Sequence, residues 1–295
     1  MSNLVLAALA GLAGMAGWGF ADFCAKKTVD TIGGIASLVW AHLYGTGFFA
    51  VAVVFQIAAL RNSVHFPSAA STWAALAGFG ALQMLVYWLA YEGFGRGQVA
   101  VLSPVFSSYS GVVALVAIVF LGEHASSVVV VALGILFAGI LLLNLDFGGA
   151  RLDRVTIVPG LKEVGAAAVL AAVWTIYWDR FIGGHDFLAY ALLMYIFMTF
   201  AAVAVARVKG EKLGGVTANT RAFLLLIGLG EAIAYIGISL GYAKTSYTGV
   251  VALISGSFAL PTIVLAHLFL KERITSTQIV AILVIFAGLI LVLSS

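Results

Sequence analysis

The sequence has 295 residues, of which 63% are hydrophobic and only 9% are charged, and its mean hydropathy is +1.14. Soluble domains carry roughly 25% charged residues, so this chain cannot cover a water-facing surface and indicates a protein embedded in lipid. The single cysteine excludes an intramolecular disulfide, no cysteine and histidine cluster has metal-ligand spacing, and a net charge of +3 from scattered residues does not favour nucleic acid as a partner.

Ten apolar runs bounded by charged or turn residues predict ten transmembrane helices, because about 20 apolar residues cross a bilayer. In chain order the runs cover about 4–24, 32–60, 71–91, 98–121, 126–145, 160–180, 187–206, 221–243, 247–270 and 276–293. The first run has no basic segment before it and is too long for a typical secretory signal, so we expect it to remain as a helix. The predicted fold class is an all-α membrane protein that lies in the lipid bilayer.

The chain repeats itself at an offset of 149 residues. This offset aligns 120–123 (Phe-Leu-Gly-Glu) with 269–272 (Phe-Leu-Lys-Glu), and it aligns 137–139 with 286–288, both Phe-Ala-Gly. We therefore predict two five-helix repeats, at 1–147 and 148–295, that form one integral membrane unit. Because five is an odd number of spans, the second repeat must enter the membrane in the opposite sense, as in many secondary transporters.

Two prolines, Pro104 and Pro261, lie in the fourth predicted helix of each repeat. An interior proline leaves a backbone carbonyl without its helical partner, which lipid tolerates only where protein or water satisfies that carbonyl. Interrupted helices in corresponding positions point to a binding site between the repeats. The nearby serines Ser103, Ser107 and Ser255 could line a pathway, or they could permit tight helix packing.

Glu231 is the sharpest candidate for a functional side chain, because it lies near the middle of the eighth span. A charged group at that depth costs at least about 2.5–3.5 kcal/mol, so Glu231 should face the bundle interior or a wet cavity. It could bind a coupling proton or a cationic substrate. The alternative is a protonated residue that packs between helices.

Other polar and aromatic side chains could share that site. His42 could relay protons, although a lone histidine is more often a packing residue. Asp22 shares a helix face with Trp18, but it is expected near the membrane edge beside Lys26, where a surface ion pair is at least as good an interpretation. The remaining candidates are Gln83 and Tyr87, which could face a cavity or bond between helices, and the aromatic residues Trp174 and Tyr235, which could instead lie at the membrane interface.

Basic residues mark the cytoplasmic side of a membrane protein, and here they are strongly biased. The loops after odd-numbered spans hold twelve of the 15 Lys and Arg residues, and the other face holds only Arg61, Arg180 and Lys244. This bias predicts a multi-pass protein of the inner membrane with both termini outside the cytoplasm. Glu123 and Glu272, which end the repeated Phe-Leu-x-Glu segments, are expected to cap the helices that follow them.

The sequence resembles the ten-helix EamA-type branch of the drug/metabolite transporter superfamily. The dipeptide Trp18-Gly19 and the segments 120–123, 137–139, 269–273 and 286–288 carry the resemblance, which covers nearly the whole chain. It implies alternating-access transport of small metabolites through a central cavity, usually without ATP, and it implies cytoplasmic termini, opposite to the charge bias. One departure from a strict repeat is that Pro104 stands farther before its Leu-Gly-Glu than Pro261 before its Leu-Lys-Glu.

These observations favour a secondary transporter, not an enzyme, that moves a small metabolite or drug-like organic solute and could be proton-coupled. The solute is expected between spans 1, 3 and 4 of one half and spans 6, 8 and 9 of the other. No nucleotide-binding loop occurs, and neither a cofactor nor a metal is implied. The alternative is a membrane-embedded sensor or enzyme without transport activity. Glycine-rich helix faces leave a homodimer open.

Overall fold

The computed structural model describes residues 2–123, 125–145 and 158–294. Its helices are α1 (Asn3–Ile32), α2 (Gly34–Ala58), α3 (Ala70–Arg96), α4 (Val99–Ser107), α5 (Tyr109–Phe120), α6 (Ser127–Leu145), α7 (Leu161–Ile182), α8 (Phe187–Val208), α9 (Ala218–Lys244), α10 (Thr248–Gly256), α11 (Ala259–Leu265), a π-helical turn (Ala266–Leu270) and α12 (Ser276–Leu293). The predicted boundary between the repeats, at 147 and 148, lies outside the described residues.

Within the described residues, nine helical spans are long and apolar enough to cross a membrane, and α6 is a tenth apolar helix. The fourth span consists of α4 and α5, and the ninth consists of α10, α11 and the π-helical turn. Large apolar side chains face outward, among them Phe120, Val208 and Ile290. This surface suits lipid, and the predicted all-α membrane fold is confirmed.

Successive spans alternate in direction, so the two halves run through the bundle in opposite senses. The face where α1 begins and α12 ends, here called the terminal face, also carries the loops after α2, α5, α7 and α9. The other face, here called the basic face, carries the loops after α1, α3, α8 and the π-helical turn. Ten Lys and Arg residues of the described chain lie at the basic face. Arg151 and Arg154 lie outside the described residues.

Glycines let helices of the two halves approach closely. The most extensive helix contact joins α1 to α9, where a Cβ on Gly230 would lie 2.6 Å from the Gly17 carbonyl oxygen, and a Cβ on Gly17 would overlap the Gly230 carbonyl. Only glycine permits backbones to touch in this way. The pair α6 and α12 packs similarly through Gly139 and Gly288, which are 149 residues apart.

The fourth and ninth spans break at equivalent positions. The breaks fall at Ser108 and at Ser257, which are 149 residues apart, although Pro104 precedes its break and Pro261 follows its break. Because the two prolines lie on opposite sides of their breaks, a proline at one equivalent position of the repeat does not determine where the helix breaks. Each break divides a span near the middle of the bundle, where the two halves meet.

The prediction that Glu123 and Glu272 cap the helices that follow them is wrong. Hydroxyl groups of the preceding loops cap those helices, α6 and α12. The Glu123 carboxylate instead accepts a hydrogen bond from the Gly249 amide at the start of α10, and the Glu272 carboxylate accepts one from the Ala100 amide at the start of α4. Each carboxylate thus reaches across to the other half, because the halves are interlocked rather than side by side.

Candidate functional site: a central cavity

A small cavity lies between the two halves. Its aromatic walls are Trp18, Tyr87, Phe106, Tyr109, Trp174 and Phe258, and its polar groups are Asp22, Gln83 and Thr175. The lining comes from spans 1, 3 and 4 of the first half and from spans 6 and 9 of the second, while span 8 stands just behind. The cavity volume is only about 20 Å³, roughly enough for one water molecule. The cavity must widen to admit an organic solute.

Asp22 is the carboxylate of this cavity. Helix α1 continues to Ile32, well beyond its predicted end, so Asp22 lies inside the bundle and only 4% of it is exposed. The Ser103 hydroxyl donates to Asp22 Oδ2 at 3.3 Å. The surface pair expected between Asp22 and Lys26 is wrong, because Lys26 pairs with Asp30 at 2.9 Å. Long lysine side chains reach polar partners from within a membrane helix, so Lys26 does not mark the end of the helix.

Glu231 lies behind the cavity wall and does not line it. It is fully buried on α9, where the Tyr195 hydroxyl donates to Oε2 and His42 Nε2 lies 3.3 Å from the same oxygen. Glu231 Oε1 has no hydrogen-bond partner among the described residues, and neither imidazole nitrogen of His42 is aligned for one. The structure therefore brings Glu231 and His42 together in a closed polar cluster, here called the Glu231 cluster, which Tyr195 completes.

A layer of aromatic rings separates the Glu231 cluster from the cavity. Gln83 Nε2 donates to the Tyr235 hydroxyl at 2.6 Å. The Tyr235 ring packs edge-on against Trp18 and Trp174, with ring centroids 5.5 and 5.8 Å apart. Tyr235 also packs edge-on against Tyr195 of the cluster, with ring centroids 5.7 Å apart. Tyr87, which lines the cavity, packs edge-on against His42, so these two tyrosines join the cavity to the cluster.

The candidate serines Ser103, Ser107 and Ser255 differ in what they contact. The buried hydroxyl groups of Ser107 and Ser255 donate to carbonyl oxygens three residues earlier in their own helices, and neither residue lines the cavity. A Cβ on Gly14 would lie 2.6 Å from the Ser255 Cβ, so this serine packs closely against α1. Ser107 and Ser255 thus lie outside the cavity lining, whereas Ser103 bonds to Asp22, which belongs to it.

Reasoning from sequence missed several residues of the site. Phe106, Tyr109 and Phe258 line the cavity, and Tyr195 holds Glu231. The repeat offset could have found two of them, because Tyr109 and Phe258 are 149 residues apart and flank the two helix breaks. Tyr195 carries no such signal, since it lies inside an apolar run with nothing to distinguish its hydroxyl.

The terminal face carries a second cluster of polar groups. A recess of about 590 Å³ is lined in part by Glu123, Asp179, Arg180 and Thr248. The Thr248 hydroxyl donates to Asp179 at 2.9 Å. Burial raises the pKa of Glu123 to about 7, although the hydrogen bond from an α10 amide partly offsets this rise. Burial also raises the pKa of Glu272 at the basic face.

The sequence profile of the EamA-like transporter family matches the chain twice, over residues 5–145 and 164–294. The chain belongs to the EamA-like transporter family. The two matches agree with the two inverted five-helix repeats. This protein is therefore a multi-pass integral membrane protein of a family whose members move small solutes across membranes.

The fold of this EamA-like transporter is shared with a solved structure titled "Crystal structure of protein". The similarity covers 97% of this chain and 95% of that chain, with a TM-score of 0.68 and 16% sequence identity. At that identity the likeness shows a common fold alone. Among curated proteins, none matches this sequence.

Proposed function

We propose that this EamA-like transporter moves a small organic solute across the inner membrane by alternating access and couples that movement to protons. The observation that carries the proposal is the cavity between the inverted halves, which combines the Asp22 carboxylate with the rings of Trp18 and Trp174. Membrane transporters with inverted repeats bind their substrates at this kind of interface. The cavity is nearly closed, as expected of a state between the two open ones.

Alternating access needs separate closing contacts at the two faces, so that one can break while the other holds. The hydrogen bond from Gly249 to Glu123 joins the halves at the terminal face, and the bond from Ala100 to Glu272 joins them at the basic face. These two bonds can serve as the gates. Rocking one half against the other would open one of them at a time.

The Glu231 cluster would hold the coupling proton. His42 Nε2 lies 3.3 Å from Glu231 Oε2, so the imidazole and the carboxylate could share a proton inside the bundle. The hydroxyls of Tyr195 and Tyr91 face Glu231. Tyr235, Tyr87 and Asp22 are also close enough to interact with it electrostatically. A shift of Tyr235 would connect this proton to the cavity.

Proteoliposomes can test transport and coupling separately. A thermal-shift screen of amines, amino acids, sugars and nucleosides would first select probes, and counterflow of each labelled probe would then report transport. We expect Glu231→Gln to keep counterflow, which needs no proton gradient, and to lose accumulation driven by a pH gradient. The exposed Glu211→Gln is the matched control and should keep both.

Two results would count against the proposal. If no stabilising probe showed counterflow, the protein would be a sensor rather than a transporter. If Glu231→Gln accumulated a probe along a pH gradient as well as the wild type, the cluster would have no coupling role.

Both termini would lie outside the cytoplasm in this proposal. The basic face, with ten described Lys and Arg residues, would then be cytoplasmic, as the positive-inside rule expects. A reporter that is active only in the cytoplasm, fused in turn to each terminus, tests the orientation. Activity of either fusion would reverse the assignment and with it the direction in which each gate opens.

A further inference from the structure

Two cavity-lining side chains carry buried polar atoms without a partner. Trp18 Nε1, a donor, and Gln83 Oε1, an acceptor, make no hydrogen bond within the described structure. Trp18 is 7% exposed and Gln83 is 5% exposed, and both line the central cavity. Leaving a buried donor or acceptor unpaired is unfavourable, so the pair indicates a site that a bound molecule completes.

The charge of the cavity restricts that molecule further. Among the described residues that line it, Asp22 carries the one carboxyl group, and no Lys, Arg or His is present there. A carboxylate in this poorly hydrated space attracts a cation and repels an anion. A solute that carries its own carboxylate would have no cationic partner in the wall.

We propose that the substrate is a primary or secondary ammonium that also carries a neutral hydrogen-bond acceptor and an apolar ring, as an amino amide or amino ester does. Its ammonium pairs with Asp22 and donates to Gln83 Oε1, and its acceptor receives the N–H of Trp18. The ring packs against the aromatic walls, which also favour a nearby cation. This ligand class rests on the proposed function, because it names the solute of that same cavity.

Two related classes are rejected on the same grounds. A quaternary ammonium has no N–H for Gln83 Oε1, so the acceptor would stay unpaired in the complex. An amino acid places a carboxylate near Asp22 with no compensating cation in the described wall. Unpaired groups and like charges are the usual means by which a site discriminates between similar ligands.

Four matched probes test the class on the purified full-length protein by binding measurements. They are L-phenylalaninamide, which has every required group, 2-phenylethylamine, which lacks the acceptor, the N,N,N-trimethyl form of the amide, which lacks the ammonium N–H, and L-phenylalanine, which has a carboxylate in place of the carboxamide. We expect the amide to bind roughly tenfold more tightly than each of the others. Equal or tighter binding of the trimethyl form or of phenylalanine would overturn the proposal.

The variant Trp18→Phe tests whether Trp18 donates to the hydrogen-bond acceptor of the ligand. Trp18→Phe keeps an aromatic ring and removes the N–H, so affinity for L-phenylalaninamide should fall roughly tenfold while affinity for 2-phenylethylamine stays unchanged. A loss that is equal for both probes would mean that Trp18 only packs, and the acceptor contact would be overturned. Should the variant fail to fold, the ranking of the four probes on the wild type still decides.

The experiment also separates this inference from the proposed function. If the four probes bind in the expected order but L-phenylalaninamide shows no counterflow, the ligand class stands and transport fails. If instead an anionic or zwitterionic solute is exchanged in proteoliposomes and none of the ammonium probes binds, transport stands and the ligand class is overturned.

Discussion

Glu123 and Glu272 make the same contact at opposite faces of the bundle, with the roles of the two halves exchanged. Glu123 accepts a hydrogen bond from the Gly249 amide at 2.6 Å, and Glu272 accepts one from the Ala100 amide at 3.0 Å. Both the two carboxylates and the two amides are 149 residues apart. Each bond satisfies a free N–H in the first turn of a helix, where a negative charge is also favourable.

We predict that removing either carboxylate opens one face and leaves the other closed. Glu123→Ala leaves an α10 amide unpaired at the terminal face, and Glu272→Ala does the same to α4 at the basic face. Loss of such a cap costs about 1 kcal/mol, which shifts the populations roughly fivefold. The readout is the distance between spin labels at Phe120 and Ser246 across the terminal face.

A second label pair, at Gln98 and Phe269, reports the basic face in the same way. Glu123→Ala should lengthen only the first distance and Glu272→Ala only the second. Substitution of either glutamate by Gln, which keeps an acceptor for the amide, is the matched control. If both alanine variants lengthened the same distance, the two bonds would not be separate gates.

The raised pKa of Glu123 predicts that the proposed gate at the terminal face, the hydrogen bond from Gly249 to Glu123, depends on pH. With a pKa of about 7 when the gate is closed and near 4.5 when the carboxylate is in water, the closed gate binds the proton more tightly. The stabilisation of the closed gate is therefore full below about pH 4.5 and is lost as the pH rises through about 7.

Spin-label distances across the terminal face between pH 5 and pH 8 measure this effect. The open population should grow toward pH 8 in the wild type. In Glu123→Gln, which mimics the protonated form, that growth should be absent. An identical pH response of the variant would assign the effect to another group of the recess, in which Asp179 is the other carboxylate among the described lining residues.

Much of the fold follows from sequence, because lipid demands long apolar helices and the repeat fixes their order. The sequence prediction was wrong mainly about where α1 ends. Lys26 resembles a helix boundary, but it lies within the helix and pairs with Asp30. That error placed Asp22 at the membrane edge. A uniformly apolar sequence does not show which side of a transmembrane helix faces the cavity. Only the packing of the helices shows that Asp22 lines the cavity and that Glu231 lies behind its wall.

Pro104 and Gln278 form a second link between the halves that can be tested by a double-mutant cycle. Pro104 has no N–H for the carbonyl of Ala100, four residues earlier, and Gln278 Nε2 donates to that oxygen at 3.3 Å. Gln278→Met should destabilise the protein by about 1–3 kcal/mol, because this buried carbonyl and a cap of α12 both lose a partner.

Pro104→Ala restores the missing N–H, so the carbonyl no longer depends on Gln278. The same Gln278→Met change should then cost about 1 kcal/mol less in the Pro104→Ala background, measured as equilibrium unfolding in mixed micelles. Additive effects of the two substitutions would show that the proline and the glutamine are not coupled through Ala100.

The closest backbone contact between the halves predicts a large effect of one methyl group. In Gly17→Ala the new Cβ meets the Gly230 carbonyl, which is helix backbone and cannot turn aside. Helices α1 and α9 must separate, and overpacking of this kind costs about 1–3 kcal/mol.

Gly78→Ala is the matched control, because a Cβ there has nothing within 4 Å and a helix favours alanine over glycine. We expect the apparent melting temperature in detergent to fall by several degrees in Gly17→Ala and to stay level or rise in Gly78→Ala. Equal melting temperatures of the two variants would mean that α1 and α9 slide apart without loss, as two halves held mainly by other contacts would do.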